Sequence, residues 1–273
     1  MEKSQIQGTE LWVSPFGLGT ADAGVAWREE DTEKIFGTYL DLGGNVIDTA
    51  HVYSDWVPPE TSRSERVIGD WLARTKKRNE IVLVTKGGHP SMLGENPDMH
   101  KSRMRREDMA EDLDSSLMKL RTDHIDLYFY HRDDVTIPVE ETVEVMEDFV
   151  RQGKIRYYGC SNWTPERMKA ADAYCKEKGY RGFIADQMLF NYGTRHMKPM
   201  EDDTLCSMDD EMYAYHRENR NNLAMPYMGI ASGFFHSYEK KGEDAVKASP
   251  YYTEGNRKAA ERLKMLKEKY DAD

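Results

Sequence analysis

The sequence predicts an α/β chain built as a (β/α)8 barrel, on three observations. Short apolar runs begin near Val46, Ile81, Ile125, Ile155, Phe183 and Leu223, each about the length of a strand. Helix-length amphipathic segments separate them, which implies parallel pairing through crossovers. No break in composition divides the 273 residues, so the units are expected to share one sheet in a single domain, residues 1–273. A doubly wound sheet could be built from the same units, but it normally carries a glycine-rich phosphate turn after its first strand. Gly17-Leu18-Gly19-Thr20-Ala21-Asp22 is not G-x-G-x-x-G.

Each element has its own justification. Gly8 to Thr20, with alternating Leu11 and Val13 and then Phe16 and Leu18, reads as an opening hairpin leading into the first barrel strand. Asn45-Val46-Ile47 is a buried strand entered through the Gly43-Gly44 turn, and Asp48 stands where it surfaces. Ser62 with Glu65 three residues on fits a capping box at the start of the next helix. Ile81 to Thr85 is the third strand, followed by a helix whose Met109, Leu113, Leu117 and Leu120 make one stripe. Ile125 to Tyr130 is the fourth, and Val143, Met146 and Val150 stripe its crossover. Thr164-Pro165 fits an N-cap with proline at the first helical position, after the strand that begins at Ile155. A last helix, Arg257 to Tyr270, carries Ala259, Leu263, Leu266 and Tyr270 on one face.

Composition excludes several classes of partner. A formal charge of −11, from 49 acidic against 38 basic residues, opposes binding to nucleic acid and to anionic membranes. The one basic run, Lys101 to Arg106, is followed by Glu107, Asp108, Glu111 and Asp112 and reads as a solvated helix start. Residues 1–8 lack the apolar core of a signal peptide, and no apolar run reaches the length of a membrane span. Cys160, Cys175 and Cys206 form no disulfide framework. A cytoplasmic protein is expected.

In such barrels chemistry gathers at the C-terminal ends of the strands. Here those ends carry Asp48 with Tyr53 in the following loop, Lys86, His131, Ser161-Asn162, and Asp186-Gln187. Asp48 alone could cap a turn, and a lone Lys or His at a strand end is usually solvated. Together they form a proton-donor site. A tyrosine that gives up a proton near neutral pH needs its pKa, about 10 when unperturbed, brought down. Lys86 would do so, Asp48 would hold Lys86, and His131 would direct a substrate oxygen toward Tyr53. The uncharged Ser161, Asn162 and Gln187 beside it suit a carboxamide such as that of nicotinamide, which points to hydride transfer.

These residues lie in blocks that resemble the aldo-keto reductases, the NADPH-dependent barrel family. The blocks are "VSPFGLGTA", "NVIDTAHVYSD", "RSERVIGDWL", "IVLVTKGG", "LRTDHIDLYFYH" and "GKIRYYGCSNW", in order over residues 13 to 191. The resemblance implies a TIM barrel and an oxidoreductase that reduces an aldehyde or ketone to an alcohol. It implies a tetrad of Asp48, Tyr53, Lys86 and His131, carboxamide contacts from Ser161, Asn162 and Gln187, and Tyr227 in "AMPYMGIASGFF" stacking on the nicotinamide ring. NADPH is the implied cofactor, with NADH not excluded. Met228-Gly229-Ile230 and Phe190 depart from the family's usual residues. Relative to the family pattern the last helix, strand and closing helix are expected to be absent, leaving the barrel C-terminally incomplete. Trp56, His89, Arg132 and Trp163 are expected to line the mouth and to meet a small-molecule carbonyl substrate. Two other functions fit parts of the pattern. His51, His89 and His131 near consecutive strand ends suit a metal-dependent hydrolase, although Lys86 among them would repel a cation. A non-catalytic, cofactor-sensing binding subunit would use the same fold. No metal is expected, and the oligomeric state is not legible.

Overall fold

The computed structural model describes residues 1–94 and 96–271, so Glu95, Ala272 and Asp273 of the expected domain lie outside the described residues. In chain order the elements are β1 (Ser4–Gln5), β2 (Trp12–Val13), β3 (Leu18–Gly19), α1 (Glu29–Asp41), β4 (Val46–Asp48), α2 (Arg63–Thr75), β5 (Val82–Gly87) and α3 (Arg106–Leu120). They continue with β6 (Ile125–Tyr130), α4 (Val139–Arg151), β7 (Ile155–Ser161), α5 (Pro165–Lys178), β8 (Ala185–Gln187), α6 (Asp210–Glu218), β9 (Leu223–Ala224), α7 (Phe234–Lys241) and α8 (Glu254–Tyr270). Strands β3 to β9 form one parallel seven-stranded sheet in sequential order, as an α/β barrel of the (β/α)8 type requires. Among the described residues β3 and β9 are its two edges.

The two-residue side-chain period of a strand divides the core in two. Val46 of β4, Val82 and Val84 of β5, Leu127 and Phe129 of β6, and Ala185 of β8 belong to the inner cluster. Their neighbours Ile47, Leu83, Tyr128 and Tyr130 point the other way, toward the helices, into the larger outer cluster with Ile68, Trp71, Met109, Leu113, Val143 and Met146. Continuing the inner register up each strand reaches Asp48, Lys86 and His131, and on β8 Gln187. The alternation that makes the core therefore also aims the polar strand ends at one place.

Two expected elements differ. The hairpin is not Gly8 to Thr20: its arms are β1 and β2, antiparallel with Ser4 opposite Val13, and the turn carries Ile6, Thr9 and Leu11. Ile6, Leu11 and Val13 are buried in the inner cluster with Val46, Val82 and Ile184, so the hairpin plugs the N-terminal end of the strands. Glu10 N donates to Tyr157 Oη at 3.1 Å across the same end. The capping box at Ser62 and Glu65 does not form. Ser62 is left-handed (φ 51°), its hydroxyl accepts from Lys119 Nζ at 2.7 Å, and Glu65 is buried with Oε1 accepting from Thr85 Oγ1 at 2.7 Å. The helix start is bound up in packing against α3 and the sheet, which outweighs a local cap. At α5 the local signal holds: Thr164 accepts from Arg167 N, and Pro165 opens the helix.

Candidate active site

Lys86 sits at the centre of the polar strand ends, 1 % exposed, which for an ammonium is tolerable only with charge and hydrogen-bond partners. Its Nζ donates to Asp48 Oδ1 at 2.5 Å, to the carbonyl of Thr49 at 2.7 Å and to Tyr53 Oη at 3.2 Å. The ring of Tyr53 lies 4.8 Å from Nζ and makes an edge contact with the His131 ring, centroids 5.6 Å apart. The fold joins these four groups in a chain of contacts, Asp48 to Lys86 to Tyr53 to His131.

The backbone beside Lys86 needs glycine. A Cβ on Gly87 would come 2.1 Å from Tyr128 Oη, and Gly88 has φ +79°. Gly88 N donates to the buried Asp112 Oδ2 at 2.9 Å, while Gly87 O and Lys86 O accept from His131 N and His51 N. The loops after β4, β5 and β6 are thereby pinned to one another.

The electrostatics differ from the sequence expectation at Tyr53. Burial pushes the phenol up by more than the Lys86 ammonium pulls it down, so its pKa is raised, not lowered. The hydroxyl is protonated at neutral pH, and Lys86 limits the penalty for losing that proton. For Lys86 itself burial pulls down, but the charge of Asp48 and the Tyr53 oxygen outweigh it, so the ammonium is held above its ordinary value. His131 is driven well below the ordinary imidazole range by burial and by His89, Lys86 and Arg132, so it is neutral. Its Nδ1 is buried without a hydrogen-bond partner.

Ser161, Asn162, Gln187 and Tyr227 form a contiguous cluster next to these four. Gln187 Nε2 donates to Asp48 Oδ2 at 2.5 Å, tying the amide group to the lysine's counter-ion. Ser161 Oγ donates to the backbone carbonyl of Gln187 at 2.9 Å. Asn162, left-handed at φ 62°, accepts from Tyr227 Oη at 2.6 Å and from Cys206 N at 3.2 Å. Tyr227 lies beyond the end of β9, bridged to Leu189.

Of the four mouth residues, three are at strand-end loops. Trp56 is 43 % exposed; the His89 ring lies tilted against that of His131 with centroids 4.6 Å apart, its pKa lowered to about 4 by burial and then by Arg132; Arg132 pairs with Asp202 at 3.0 Å. Trp163 is not at a mouth. It is fully buried among Tyr130 and Phe183 and donates Nε1 to the Arg132 carbonyl, because an indole at the start of a crossover packs behind the sheet. Among the described residues no group of three or more His, Cys, Asp or Glu is arranged to hold a metal. His51 instead contacts Ser115 at 3.3 Å and Asp112 at 3.6 Å. The sequence reading missed the Thr49 carbonyl, since a backbone acceptor has no residue signature. It also missed Cys206 N, which comes from a loop with no strand signal.

Comparison with known proteins points one way. The model of the aldo/keto reductase family matches residues 15–273. The aldo-keto reductase YhdN of Bacillus subtilis is 36 % identical over 174 residues, 62 % of this chain and 49 % of that protein. Norsolorinic acid reductase B of Aspergillus parasiticus is 31 % identical over 195 residues, covering 68 % and 50 % of the two chains. An aryl-alcohol dehydrogenase [NADP(+)] of Phanerodontia chrysosporium is 30 % identical over 206 residues, 70 % and 51 %. The chain spans about half the length of these curated relatives.

Proposed function

The chain belongs to the aldo/keto reductase family, and on that footing we propose that it reduces an aldehyde or ketone to an alcohol with NADPH, Tyr53 serving as the general acid. The observation that carries this reading is the hydrogen-bonded line from Asp48 through Lys86 to Tyr53 with neutral His131 against the phenol. The cofactor, when bound, supplies a hydride to the carbonyl carbon. Tyr53 gives its proton to the carbonyl oxygen, Lys86 stabilises the phenolate left behind, and Asp48 keeps Lys86 charged and aimed. His131 donates a hydrogen bond to the substrate oxygen as the electron pair moves onto it.

The residues present fit the nicotinamide end. Two amides and a hydroxyl lie side by side at Gln187, Asn162 and Ser161, with Tyr227 against Asn162, and together they offer donors and acceptors to a carboxamide. Asn162 Nδ2 also donates to the His131 carbonyl at 3.2 Å, joining this cluster to the β6 end. NADPH is preferred over NADH on the name of the aryl-alcohol dehydrogenase relative, and aromatic carbonyls are the first substrates to assay, with the exposed indole of Trp56 in the loop after β4.

Tyr53→Phe tests the assignment. Turnover with a chemistry-limited aldehyde should fall by roughly two orders of magnitude or more, with cofactor affinity nearly unchanged, as when positioned proton transfer is lost. Near-normal turnover in that variant would remove Tyr53 from the mechanism.

A further inference from the structure

An ammonium has three protons, and Lys86 has three acceptors: Asp48 Oδ1, Tyr53 Oη and the Thr49 carbonyl. The third belongs to the backbone, so its position depends on how the chain is held just past β4. Three hydroxyls hold it. Ser64 Oγ, in the first turn of α2, donates to the Thr20 carbonyl at 2.8 Å and lies 2.9 Å from Thr20 Oγ1 and 2.8 Å from Thr49 Oγ1. Thr20 in turn reaches the Asp48 carbonyl with its N at 3.0 Å and its Oγ1 at 2.8 Å. Three hydroxyl protons thus serve four contacts. With Ser64 donating to the Thr20 carbonyl and Thr20 to the Asp48 carbonyl, Thr49 donates to Ser64, and the Thr20–Ser64 contact shares a proton already in use.

Thr20, Thr49 and Ser64 are all fully buried, on the helix side of the sheet, where apolar packing would serve stability equally well. The cluster holds the Asp48 carbonyl through Thr20 and the Thr49 side chain through Ser64, while Thr49 N donates to the Val84 carbonyl of the neighbouring strand at 2.9 Å. We propose that Ser64 is a positioning residue for the reduction: through Thr20 and Thr49 it fixes the peptide after Asp48, so that the Thr49 carbonyl remains the third acceptor of the Lys86 ammonium. This rests on the reading of Lys86 as the group that tunes Tyr53. The charged and titratable groups that act on Lys86 are Asp48 and Tyr53 from the β4 end, with His131 facing it from the β6 end. Of the three Lys86 acceptors, the Thr49 carbonyl is the one whose residue Ser64 contacts.

The test uses Ser64→Ala and Thr49→Val in the full chain, with Thr49→Ser as the conservative control that keeps the hydroxyl. Without cofactor or substrate, the Lys86 ammonium protons are followed by nitrogen-15 NMR. Loss of one held acceptor should speed their exchange with water about tenfold in Ser64→Ala and Thr49→Val, and not in Thr49→Ser. In the assay, kcat should fall about tenfold with KM changed by less than about twofold, and the alkaline limb of the pH profile should move upward. Unchanged ammonium exchange in the folded variants would overturn the proposal, as would faster exchange with kcat and pH profile unmoved. If Ser64→Ala does not fold, the contrast between Thr49→Val and Thr49→Ser decides. Failure of the Tyr53 reading is separable, because the ammonium exchange is measured without turnover.

Discussion

At the scale of single residues, burial and the Lys86 ammonium act on Tyr53 in opposite directions. Burial raises the Tyr53 pKa and Lys86 opposes it, so removing the ammonium leaves burial unopposed. In Lys86→Met the phenol becomes a weaker acid. Its rate of carbonyl reduction should drop, and the alkaline limb, where an acid is lost by deprotonation, should move to higher pH than in the parent. A variant with raised KM but unchanged kcat and pH profile would make Lys86 a binding group instead. That Asp48, Lys86 and His131 stand at neighbouring strand ends, with Tyr53 in the loop after the first of them, was legible in the sequence. The net direction at Tyr53 was not, because desolvation depends on what packs around the ring, and the His131 ring and the Lys86 ammonium reach it only in the folded chain.

Among the elements, α2 shows how tertiary packing overrides a local signal. Glu65 was read as half of a capping box, yet it lies buried against β5 with Oε1 on Thr85 and Ser116 beside its carboxyl. Burial raises its pKa to about 7. The folded pKa therefore lies above the unfolded one, so between them the folded state binds the extra proton. The stability this group contributes is present in full below the ordinary carboxylate pKa of about 4.3 and is lost as pH rises through about 7. Glu65→Gln, which keeps the shape without the charge, should exceed the parent in stability by on the order of 3 kcal/mol at about pH 8, the difference shrinking toward about pH 5. Denaturant unfolding of both proteins at the two pH values checks this, and a gap independent of pH would show that folding does not raise the Glu65 pKa.

For the whole molecule, the sheet is thickest in its middle. Strands β5, β6 and β7 have six, six and seven residues, with β5 and β6 buried throughout, whereas the edges β3 and β9 have two residues each. Short edges limit pairing with other chains but also leave little to resist opening. Hydrogen exchange should therefore be slowest in β6 and fastest at β3 and β9, by several orders of magnitude if the centre opens only globally. Equal protection at an edge and the centre would mean that the edges are covered in solution.

What the sequence determined by itself was whatever repeats locally. Alternation in Val82-Leu83-Val84-Thr85-Lys86 separates the inner from the outer face, so Lys86 had to share a side with Val82 and Val84, and the same period carries Leu127 and Phe129 up to His131. Thr164-Pro165 opened α5 because a cap needs only its own first turn. Tertiary structure alone decided the rest. The hairpin register at Ser4–Gln5 follows from Ile6 and Leu11 filling the end of the inner cluster. Trp163 left the mouth because Tyr130 and Phe183 bury it. The third acceptor of Lys86 is a carbonyl placed by hydroxyls on β3, α2 and the β4 end, and a contact among residues 20, 49, 64 and 86 has no period along the chain for a sequence to display.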